Sequence, residues 1–330
     1  MNTFGTIFKI SVFGESHGKS LGIVIDNCPP GIKISENDFT EDIKRRKGGT
    51  KGTTPRVEED IPEFLSGIYN GYTTGSPISI IFNNNNIKSS DYTSLKNTPR
   101  PGHVDFTAEK KYNGYADPRG SGHFSGRLTL PIVAAGVIAK KICGKIKFQA
   151  ALIEAGGSGD IQKAINHAIE NQDSIGGIIE CKINKLPVGL GEPYFNSVES
   201  LISQLVFSIP AIKAIEFGSG FKSATMFGSE HNDAFISTDG KTLTNHSGGI
   251  NGGLTNGNEL IFRVAVKPAS SISKTQETLN MATGKTEKIN ISGRHDVCIA
   301  LRVPVIIEAV AAIVLADLIM IDNAPFKNLK

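Results

Sequence analysis

The chain contains two long stretches that would be apolar on almost every face of a helix. They cover residues 128–142 and 303–321, and Pro131 and Pro304 fall in the first turn of each. Proline is tolerated there because first-turn amide hydrogens have no partner within the helix. A helix that is apolar all round must be covered all round, so we predict two buried helices packed between or against sheets.

Shorter runs predict the remaining elements. Runs rich in β-branched and aromatic residues predict strands at 4–13, 22–25, 78–82, 175–183, 214–217 and 260–266, and a 3.6-residue apolar period predicts helices at 36–46, 161–171 and 198–207. Ser35 is the predicted N-cap of the first of these helices. Strands and helices do not alternate regularly, and no Gly-x-Gly-x-x-Gly follows a strand, which favours an α+β fold over a Rossmann domain. Since no linker or repeat interrupts the pattern, we predict one domain over residues 1–330.

Composition narrows the class of protein. The hydrophobic share of 39% and charged share of 20% are ordinary for a globular chain, and a net charge of +3 without a basic tract argues against a nucleic-acid partner. The four cysteines are far apart, which argues against a disulfide framework or a zinc site. The first residues lack the pattern of a signal peptide, and Glu308 and Asp317 interrupt the second apolar stretch. We therefore expect a cytoplasmic protein without a membrane span.

Arginine is scarce and unevenly placed. The chain has 26 lysines and nine arginines, and only Arg263 lies inside a strand-like run. The other eight lie beside turns that carry glycine, proline or histidine: Arg45, Arg46, Arg56, Arg100, Arg119, Arg127, Arg294 and Arg302. They could simply occupy surface loops. The alternative is an anion site built from several loops, because the guanidinium fork binds carboxylate and phosphate at two points.

Residues 14–20, Gly-Glu-Ser-His-Gly-Lys-Ser, resemble a phosphate-binding P-loop. A Walker A loop has four residues between its first glycine and the Gly-Lys-Ser triplet, whereas this loop has three. It is one residue too short to wrap a nucleotide phosphate in the usual way. An acid, a hydroxyl and an imidazole on a glycine-flanked turn suit acid–base chemistry better.

Five further loops combine glycines with reactive side chains, at residues 44–51, 100–103, 117–127, 245–253 and 292–298. Each has an ordinary structural explanation, such as a solvated basic turn, a structural histidine or a glycine cap. Five histidines lie in glycine-rich loops: His17, His103, His123, His246 and His295. Their spacing matches no metal-site motif, so we predict no metal and favour general acid catalysis on an anionic substrate.

Taken in order, these segments resemble the chorismate synthase family. The resemblance rests on Gly-Glu-Ser-His-Gly at 14–18, Arg-Arg at 45–46, Arg-Pro-Gly-His at 100–103, the 117–127 loop, Asn-His-x-Gly-Gly at 245–249, Lys-Pro-x-Ser-Ser at 267–271 and Gly-Arg-His-Asp-x-Cys at 293–298. It implies a β-α-β sandwich with long buried central helices between two mostly antiparallel sheets, and a homotetramer. It also implies an anti-1,4-elimination of phosphate and the C6 proton from 5-O-(1-carboxyvinyl)-3-phosphoshikimate, which gives chorismate. The family needs reduced FMN (FMNH2) for this reaction, without net redox change.

The resemblance implies catalytic roles for five residues. His17 would protonate the departing phosphate or stabilise its charge, and His103 would protonate or hydrogen-bond the flavin. Asp296, with Ser16 and Ser125 as hydrogen-bond relays, would help the flavin N5 accept the substrate's C6 proton.

Binding roles are implied in the same way. The substrate's phosphate and carboxylates would be held by Arg46, Arg119 and Arg127. The flavin would contact His123, Phe124, Ser125, Pro210, Ala211, Gly252, Lys267, Pro268, Ala269, Ser270, Ser271 and Arg294.

The sequence departs from the family pattern at several positions. His123 replaces an arginine, Leu128 replaces a glutamate, Gly52 replaces a basic residue, and residues 47–49 replace Arg-Pro-Gly. These positions bear on flavin phosphate binding. We expect a monofunctional lyase with a separate flavin reductase as partner. Two alternatives remain open at this point: a flavin oxidoreductase, including a bifunctional form that uses NADPH, and a non-catalytic anion-binding protein.

Overall fold

A computed structural model describes residues 2–56, 58–85, 97–291 and 295–323. These residues form seven α-helices and five 3₁₀-helices. The α-helices are α1 Asn37–Arg46, α2 Asp105–Lys111, α3 Thr129–Cys143, α4 Ile161–Glu170, α5 Val198–Val206, α6 Gly228–His231 and α7 Pro304–Asp322. The 3₁₀-helices are Arg119–Phe124, Gly126–Leu128, Tyr194–Asn196, Gly220–Thr225 and Ile299–Arg302.

The strands form two larger sheets and three two-stranded ribbons. Strands β1 Thr3–Phe4, β2 Lys9–Gly14, β3 Ser20–Asp26, β7 Ile78–Asn83 and β4 Glu63–Ser66 form one sheet in that spatial order. Strands β10 Ile212–Phe217, β13 Leu260–Val266, β9 Gly177–Asn184 and β8 Lys147–Ala155 form the other. The ribbons pair β5 Ile68–Tyr69 with β6 Tyr72–Thr73, β11 Ile250–Asn251 with β12 Leu254–Thr255, and β14 Gln276–Leu279 with β15 Thr286–Ile289. All these pairings are antiparallel, as the resemblance implied.

Helices α3 and α7 form the layer between the two larger sheets. Helix α3 packs on β2, β3 and β7, α7 packs on β8 and β9, and the two helices pack against each other. They cross so closely that a Cβ atom at Gly136 would lie 2.3 Å from the Cβ of Ala309. Helix α7 is long and apolar enough to cross a membrane, yet most of it is buried inside the fold. The prediction of two buried helices is confirmed.

Glu308 is a buried carboxylate near the middle of α7. Its oxygens accept hydrogen bonds from Arg45 of α1 at 2.7 and 2.8 Å, from Lys140 of α3 at 3.0 Å and from the amide of Ala150 in β8 at 2.9 Å. Burial alone would raise the pKa of Glu308, but the bond from Arg45 and the charge of Lys140 hold it below its ordinary value. One side chain thus joins three helices and a sheet.

Asp317 lies about two and a half turns after Glu308 in α7 and explains why one predicted strand is interrupted. Its carboxylate accepts the backbone amides of Thr6, Ile7 and Phe8 at 2.8, 2.7 and 2.9 Å. These amides are therefore bound to a helix instead of a neighbouring strand. The strand predicted over residues 4–13 is wrong at 5–8, where the chain leaves β1 and enters β2.

The predicted N-cap of α1 is also wrong. Ser35 does not cap the helix, whose N-cap residue is Glu36 without a side-chain cap bond. Instead the Asp38 carboxylate accepts hydrogen bonds from the Ser35 amide at 2.7 Å and its hydroxyl at 3.1 Å. An N-cap serine would accept a hydrogen bond from an amide of the first turn. Here Ser35 donates, and the side chain of Asp38 in the first turn accepts.

Candidate active site

A cavity of about 1120 Å³ opens where the two central helices begin. Thr129 and Ile132 of α3 and Val303 and Ile306 of α7 line it. Amide hydrogens and the helix dipole make the start of a helix favourable for anions. Pockets for one small molecule span roughly 300–1,000 Å³, so this cavity has room for more than one ligand.

Cationic side chains dominate the charged lining of the cavity. Among the described residues that line it, three are carboxylates: Glu58, Asp60 and Asp296. Eight are lysines or arginines: Arg46, Lys47, Arg56, Arg100, Arg127, Lys213, Lys267 and Arg302. Apolar side chains from the start of α7 and from the segment after α5 form another part of the wall. The cavity therefore offers both an apolar surface and an excess of positive charge.

Arg46 and Arg127 share one buried counter-ion, Asp60. Its two carboxylate oxygens accept from Nη2 of Arg46 at 3.0 Å and from Nη1 of Arg127 at 2.5 Å. Burial, with the nearby charges of Arg302 and Arg127, lowers the pKa of Arg46 to about 10. Although burial opposes its charged form, the two arginines hold the pKa of Asp60 below its ordinary value.

Two nitrogens of these guanidinium groups remain available. Within the described part of the chain, Nε of Arg46 and Nη2 of Arg127 are buried and have no hydrogen-bond partner. Buried polar groups in proteins are nearly always hydrogen-bonded, and an unmet charged donor is unfavourable. Two cations that share one acid and line a cavity are thus suited to binding an anion from it.

Asn84 connects Arg127 to the loop that contains His17. Its side-chain oxygen accepts from Nε of Arg127 at 3.0 Å. Its amide nitrogen donates to the carbonyls of Glu15 at 3.2 Å and Gly18 at 2.8 Å. The position of the Arg127 guanidinium is therefore coupled to the backbone of residues 15–18.

Asp296 lines the cavity and is held by Arg302 and Thr54. Nη1 of Arg302 donates to both carboxylate oxygens at 3.0 and 3.2 Å, and the Thr54 amide donates at 2.9 Å. Nε of Arg302 also donates to the Arg46 carbonyl at 2.8 Å. The described contacts join Asp296 to these residues, and no hydrogen bond among them links it to Ser125.

His103 also lines the cavity and belongs to a polar cluster with Arg100, Asp105 and Ser121. Nδ1 is 2.7 Å from a carboxylate oxygen of Asp105, and Nε2 is 3.0 Å from the hydroxyl of Ser121. Arg100 donates to both oxygens of Asp105, from Nη2 at 2.7 Å and from Nε at 2.8 Å. Burial opposes the charged carboxylate, but the bonds from Arg100 and His103 hold the pKa of Asp105 well below its usual range.

Ser16 and His17 lie immediately behind the cavity wall. Their exposures are 1% and 5%, and neither lines the cavity itself. Gly120, which does line it, packs on them so closely that a Cβ there would lie 2.7 Å from Nε2 of His17 and 2.8 Å from Oγ of Ser16. One glycine residue thus separates the imidazole from the cavity.

The flavin-contact residues implied by the resemblance are mostly brought together. The lining includes His123, Phe124, Ser125, Pro210, Ala211, Lys267, Pro268, Ala269, Ser270 and Ser271. Gly252 does not line the cavity and lies in the turn between β11 and β12. Arg294 lies outside the described residues. His123 donates from Nδ1 to the Gly14 carbonyl at 3.0 Å, which ties it to the loop before His17.

Of the three implied substrate arginines, two line the cavity. Arg119 does not: its side chain is 46% exposed and makes a two-point ion pair with Asp117. Arg46 and Arg127 form the buried pair described above.

A family model settles the relationship of the chain to known proteins. The model described as chorismate synthase matches residues 8–320. The chain belongs to the chorismate synthase family. Chorismate synthases are lyases, and the family's fold agrees with the α+β architecture described above.

Individual chorismate synthases match over nearly their whole length. The protein from Chitinophaga pinensis is 58% identical, with 99% of this chain and 100% of that protein aligned. Those from Lachnospira eligens and Methanocaldococcus jannaschii are 43% and 41% identical over 98% and 97% of this chain, and 95% and 96% of theirs. A crystal structure of chorismate synthase superposes with a TM-score of 0.75 at 25% identity, covering 97% of this chain and 94% of that one.

Sequence reasoning missed two residues of this candidate site. Asp60 and Asn84 contact residues that it had selected, yet each lies outside a recognised motif. Arg302 was named among the turn arginines, but without its role of holding Asp296. Asn84 follows the strand at 78–83 within a run of asparagines, which could have been weighed as a set of side-chain donors at a strand end. Asp60 has a positive φ of 54°, a backbone property that the sequence does not reveal.

Proposed function

We propose that this chain catalyses the anti-1,4-elimination of phosphate and the C6 proton from 5-O-(1-carboxyvinyl)-3-phosphoshikimate, giving chorismate, with reduced FMN as a cofactor that is not consumed. The observation that carries the proposal is the buried Arg46–Asp60–Arg127 cluster, with two guanidinium nitrogens left without partners in the described part of a large cavity. The substrate brings one phosphate and two carboxylates, which such nitrogens bind well.

The residues present fit a flavin mononucleotide beside the substrate. The cavity volume exceeds that of a single-ligand pocket, and its apolar lining suits a planar ring while its cations suit a phosphate. Phe124, Pro210 and Ala211 would contact the ring, and Lys267 with Ser270 would hold polar groups of the cofactor. When bound, reduced FMN supplies electron density to the departing phosphate and regains it, so that no net oxidation occurs.

We further propose how this chain's own residues act. Arg46 and Arg127 would orient the substrate and neutralise its charge, as preorganised cations do in many active sites. His17 would stabilise the departing phosphate, provided that the Gly120 backbone moves aside to bring the imidazole into contact with the cavity. Asp296, positioned by Arg302, would serve in removal of the C6 proton, with Ser16 and Ser125 as further hydrogen-bonding groups.

The proposed binding roles of Gly252, Arg119 and Arg294 rest on the family resemblance alone. Gly252 lies in a hairpin turn away from this cavity, and Arg119 is engaged by Asp117. Ser16 and His17 are supported by their packing against Gly120 of the cavity wall, and the remaining residues by their shared position around the cavity.

We propose that the enzyme is monofunctional and uses flavin reduced by a separate reductase. An anaerobic assay with photoreduced FMN tests this directly. We expect phosphate release with reduced FMN and none with oxidised FMN plus NADPH in air. Absence of phosphate release under the first condition contradicts the proposed function, and full activity under the second contradicts the monofunctional assignment.

We also propose one domain over residues 1–330 and a cytoplasmic homotetramer. The single layer formed by α3 and α7, which contacts both larger sheets, supports the one-domain assignment. Large apolar side chains exposed on the chain, including Tyr194 at 86% and Phe195 at 92%, support association. Light scattering should give a molar mass about four times the 35.2 kDa of one chain; a monomer or dimer would contradict the tetramer.

A further inference from the structure

Ser121 occupies an unusual backbone position at the cavity wall. Its φ is +68°, and the glycines on both sides, Gly120 and Gly122, also have positive φ values of 57° and 51°. Glycine adopts this region freely, whereas a residue with a Cβ is disfavoured there. A non-glycine residue held in such a conformation at a cavity often has a functional reason. The only hydrogen bond of the Ser121 hydroxyl to the described residues is to Nε2 of His103.

The other side of the His103 ring determines which nitrogen carries the proton. Nδ1 lies 2.7 Å from a carboxylate oxygen of Asp105, which is kept ionised by its two-point ion pair with Arg100. Nη2 of Arg100 also lies 3.0 Å from Nδ1, but its shorter bond, at 2.7 Å, goes to the same carboxylate oxygen. An unprotonated Nδ1 would bring two lone pairs against each other at the shorter of its two contacts. We therefore assign the Nδ1 proton to the bond with Asp105, and in the neutral ring Nε2 is left as an acceptor for the Ser121 hydroxyl.

We propose that Asp105, His103 and Ser121 form a proton relay in which Ser121 presents the terminal hydroxyl to the bound ligands. The proposal rests on the proposed function, because it assigns the proton-handling role of His103 to a path through Ser121. Ser121 is the catalytic residue that touches the ligands, and Asp105 and Arg100 are positioning residues for the imidazole ring.

The relay balances in both directions. To deliver a proton, protonated His103 donates from Nε2 to Oγ of Ser121, whose own hydrogen passes to the ligand. To accept one, Oγ takes the ligand's proton while its hydrogen passes to Nε2. Nδ1 remains bonded to Asp105 throughout, so the ring does not need to rotate.

Charged groups around His103 favour a fixed ring. Arg100 and Asp105 come from its own loop, and Lys267 from the facing segment donates to the Gly102 carbonyl at 2.6 Å. Ser270 donates to the same carbonyl at 2.8 Å, and Ser271 accepts from Nη1 of Arg100 at 3.0 Å. The segment that carries His103 is therefore fixed at several points. The remaining ring nitrogen, Nε2, is hydrogen-bonded to the Ser121 hydroxyl.

The variant Ser121→Gly tests the relay without disturbing the backbone, since glycine adopts a positive φ more readily than serine. We expect the melting temperature to stay equal or rise, kcat to fall about 100-fold, and KM to change less than about twofold. The matched control is Asn70→Gly, at a residue with φ of 47° in the turn between β5 and β6, where kcat should not change. A Ser121→Gly variant with kcat within about twofold of wild type overturns the proposal.

Nitrogen-15 NMR of histidine-labelled enzyme tests the same proposal without turnover. The His103 signals, assigned by comparison with His103→Gln, should show a protonated Nδ1 and an unprotonated Nε2 at a pH where the ring is neutral. The Nε2 signal should shift in Ser121→Gly. A neutral ring protonated at Nε2 overturns the relay. If wild type releases no phosphate with reduced FMN, the proposed function fails, and the NMR result still decides the relay.

Discussion

At the scale of single residues, the buried pair Arg46 and Arg127 forms the proposed anion-binding part of the cavity. Arg46 stays charged although burial lowers its pKa to about 10, because that value is still well above neutrality. Arg127 uses Nη1 for Asp60 and Nε for Asn84, and this leaves Nη2 for a ligand. The three nitrogens of one planar guanidinium can thus bind Asp60, Asn84 and a ligand at the same time. The single ammonium group of lysine cannot reproduce this geometry.

Replacing Arg127 with lysine should therefore weaken substrate binding. We expect Arg127→Lys to raise the KM for 5-O-(1-carboxyvinyl)-3-phosphoshikimate at least about tenfold. The substitution removes one charge-assisted hydrogen bond and the two-point geometry of the guanidinium group. Affinity for FMN should change less than about twofold, which titration calorimetry can measure. The control Arg263→Lys, in β13 and outside the cavity lining, should leave both values unchanged. An unchanged KM in Arg127→Lys would contradict the assigned role.

The sequence allowed part of this site to be predicted. Arg46, Arg127, His103 and Asp296 were selected because the glycine-rich motifs that carry them resemble those of chorismate synthases, and all four line the cavity. Asp60 was not selectable, because its importance depends on contacts with two arginines that only the fold brings to it. The distance of His17 from the cavity was equally hidden, since it depends on how Gly120 packs.

At the scale of elements, the buried charge of Glu308 holds three helices and a sheet in register. Its carboxylate binds Arg45, Lys140 and the amide of Ala150, and Asp42 of α1 is a second counter-ion for the two cations. Arg45 precedes Arg46 in α1, so this network also fixes the helix end that supplies a guanidinium group to the cavity.

Glu308→Gln should destabilise the protein by about 2 kcal/mol near neutral pH, because Arg45 and Lys140 lose one of their two counter-ions and keep only Asp42. The sign of the pH effect follows from a lowered pKa. The stabilisation is present above the ordinary glutamate pKa of 4.5 and is lost as pH falls through the lower folded value. In denaturant unfolding, the difference in unfolding free energy between wild type and variant should thus narrow below about pH 4.5.

The control for this prediction is Glu41→Gln, on the exposed face of α1, with an expected change in unfolding free energy within about 0.5 kcal/mol. A difference between wild type and Glu308→Gln that does not change between pH 7 and acid would contradict this account.

Elements were predictable where the local pattern alone determines them. The two buried helices match their predicted bounds within one residue at each end. A helix that is apolar on every face is stable only when it is buried on every face, so the sequence pattern alone determines its position. Strand β8 was missed, since its alanine, glutamine and glutamate residues are weak strand formers, and pairing with β9 is what makes it a strand. The strand predicted at 4–13 was wrong only at 5–8, because Asp317, 310 residues after Ile7, accepts hydrogen bonds from the amides of residues 6–8.

At the scale of the whole molecule, the net positive charge is small, but positively charged side chains are concentrated around one cavity. The net charge is only +3, yet eight of the described cationic side chains line one cavity beside three carboxylates. A charged, partly apolar cavity attracts anionic ligands by its local field and not by the overall charge of the protein. This distribution suits the proposed binding of a substrate with three anionic groups together with a phosphate-bearing cofactor.

The most direct test of the central claim counts product molecules per flavin under anaerobic conditions. The enzyme is mixed with a small amount of photoreduced FMN and an excess of 5-O-(1-carboxyvinyl)-3-phosphoshikimate, while phosphate, chorismate and the flavin absorbance are recorded together. We predict equal amounts of phosphate and chorismate, many turnovers per FMN, and a flavin that is still reduced at the end. Product formation limited to one equivalent per flavin, or flavin oxidation in step with product, would contradict the account.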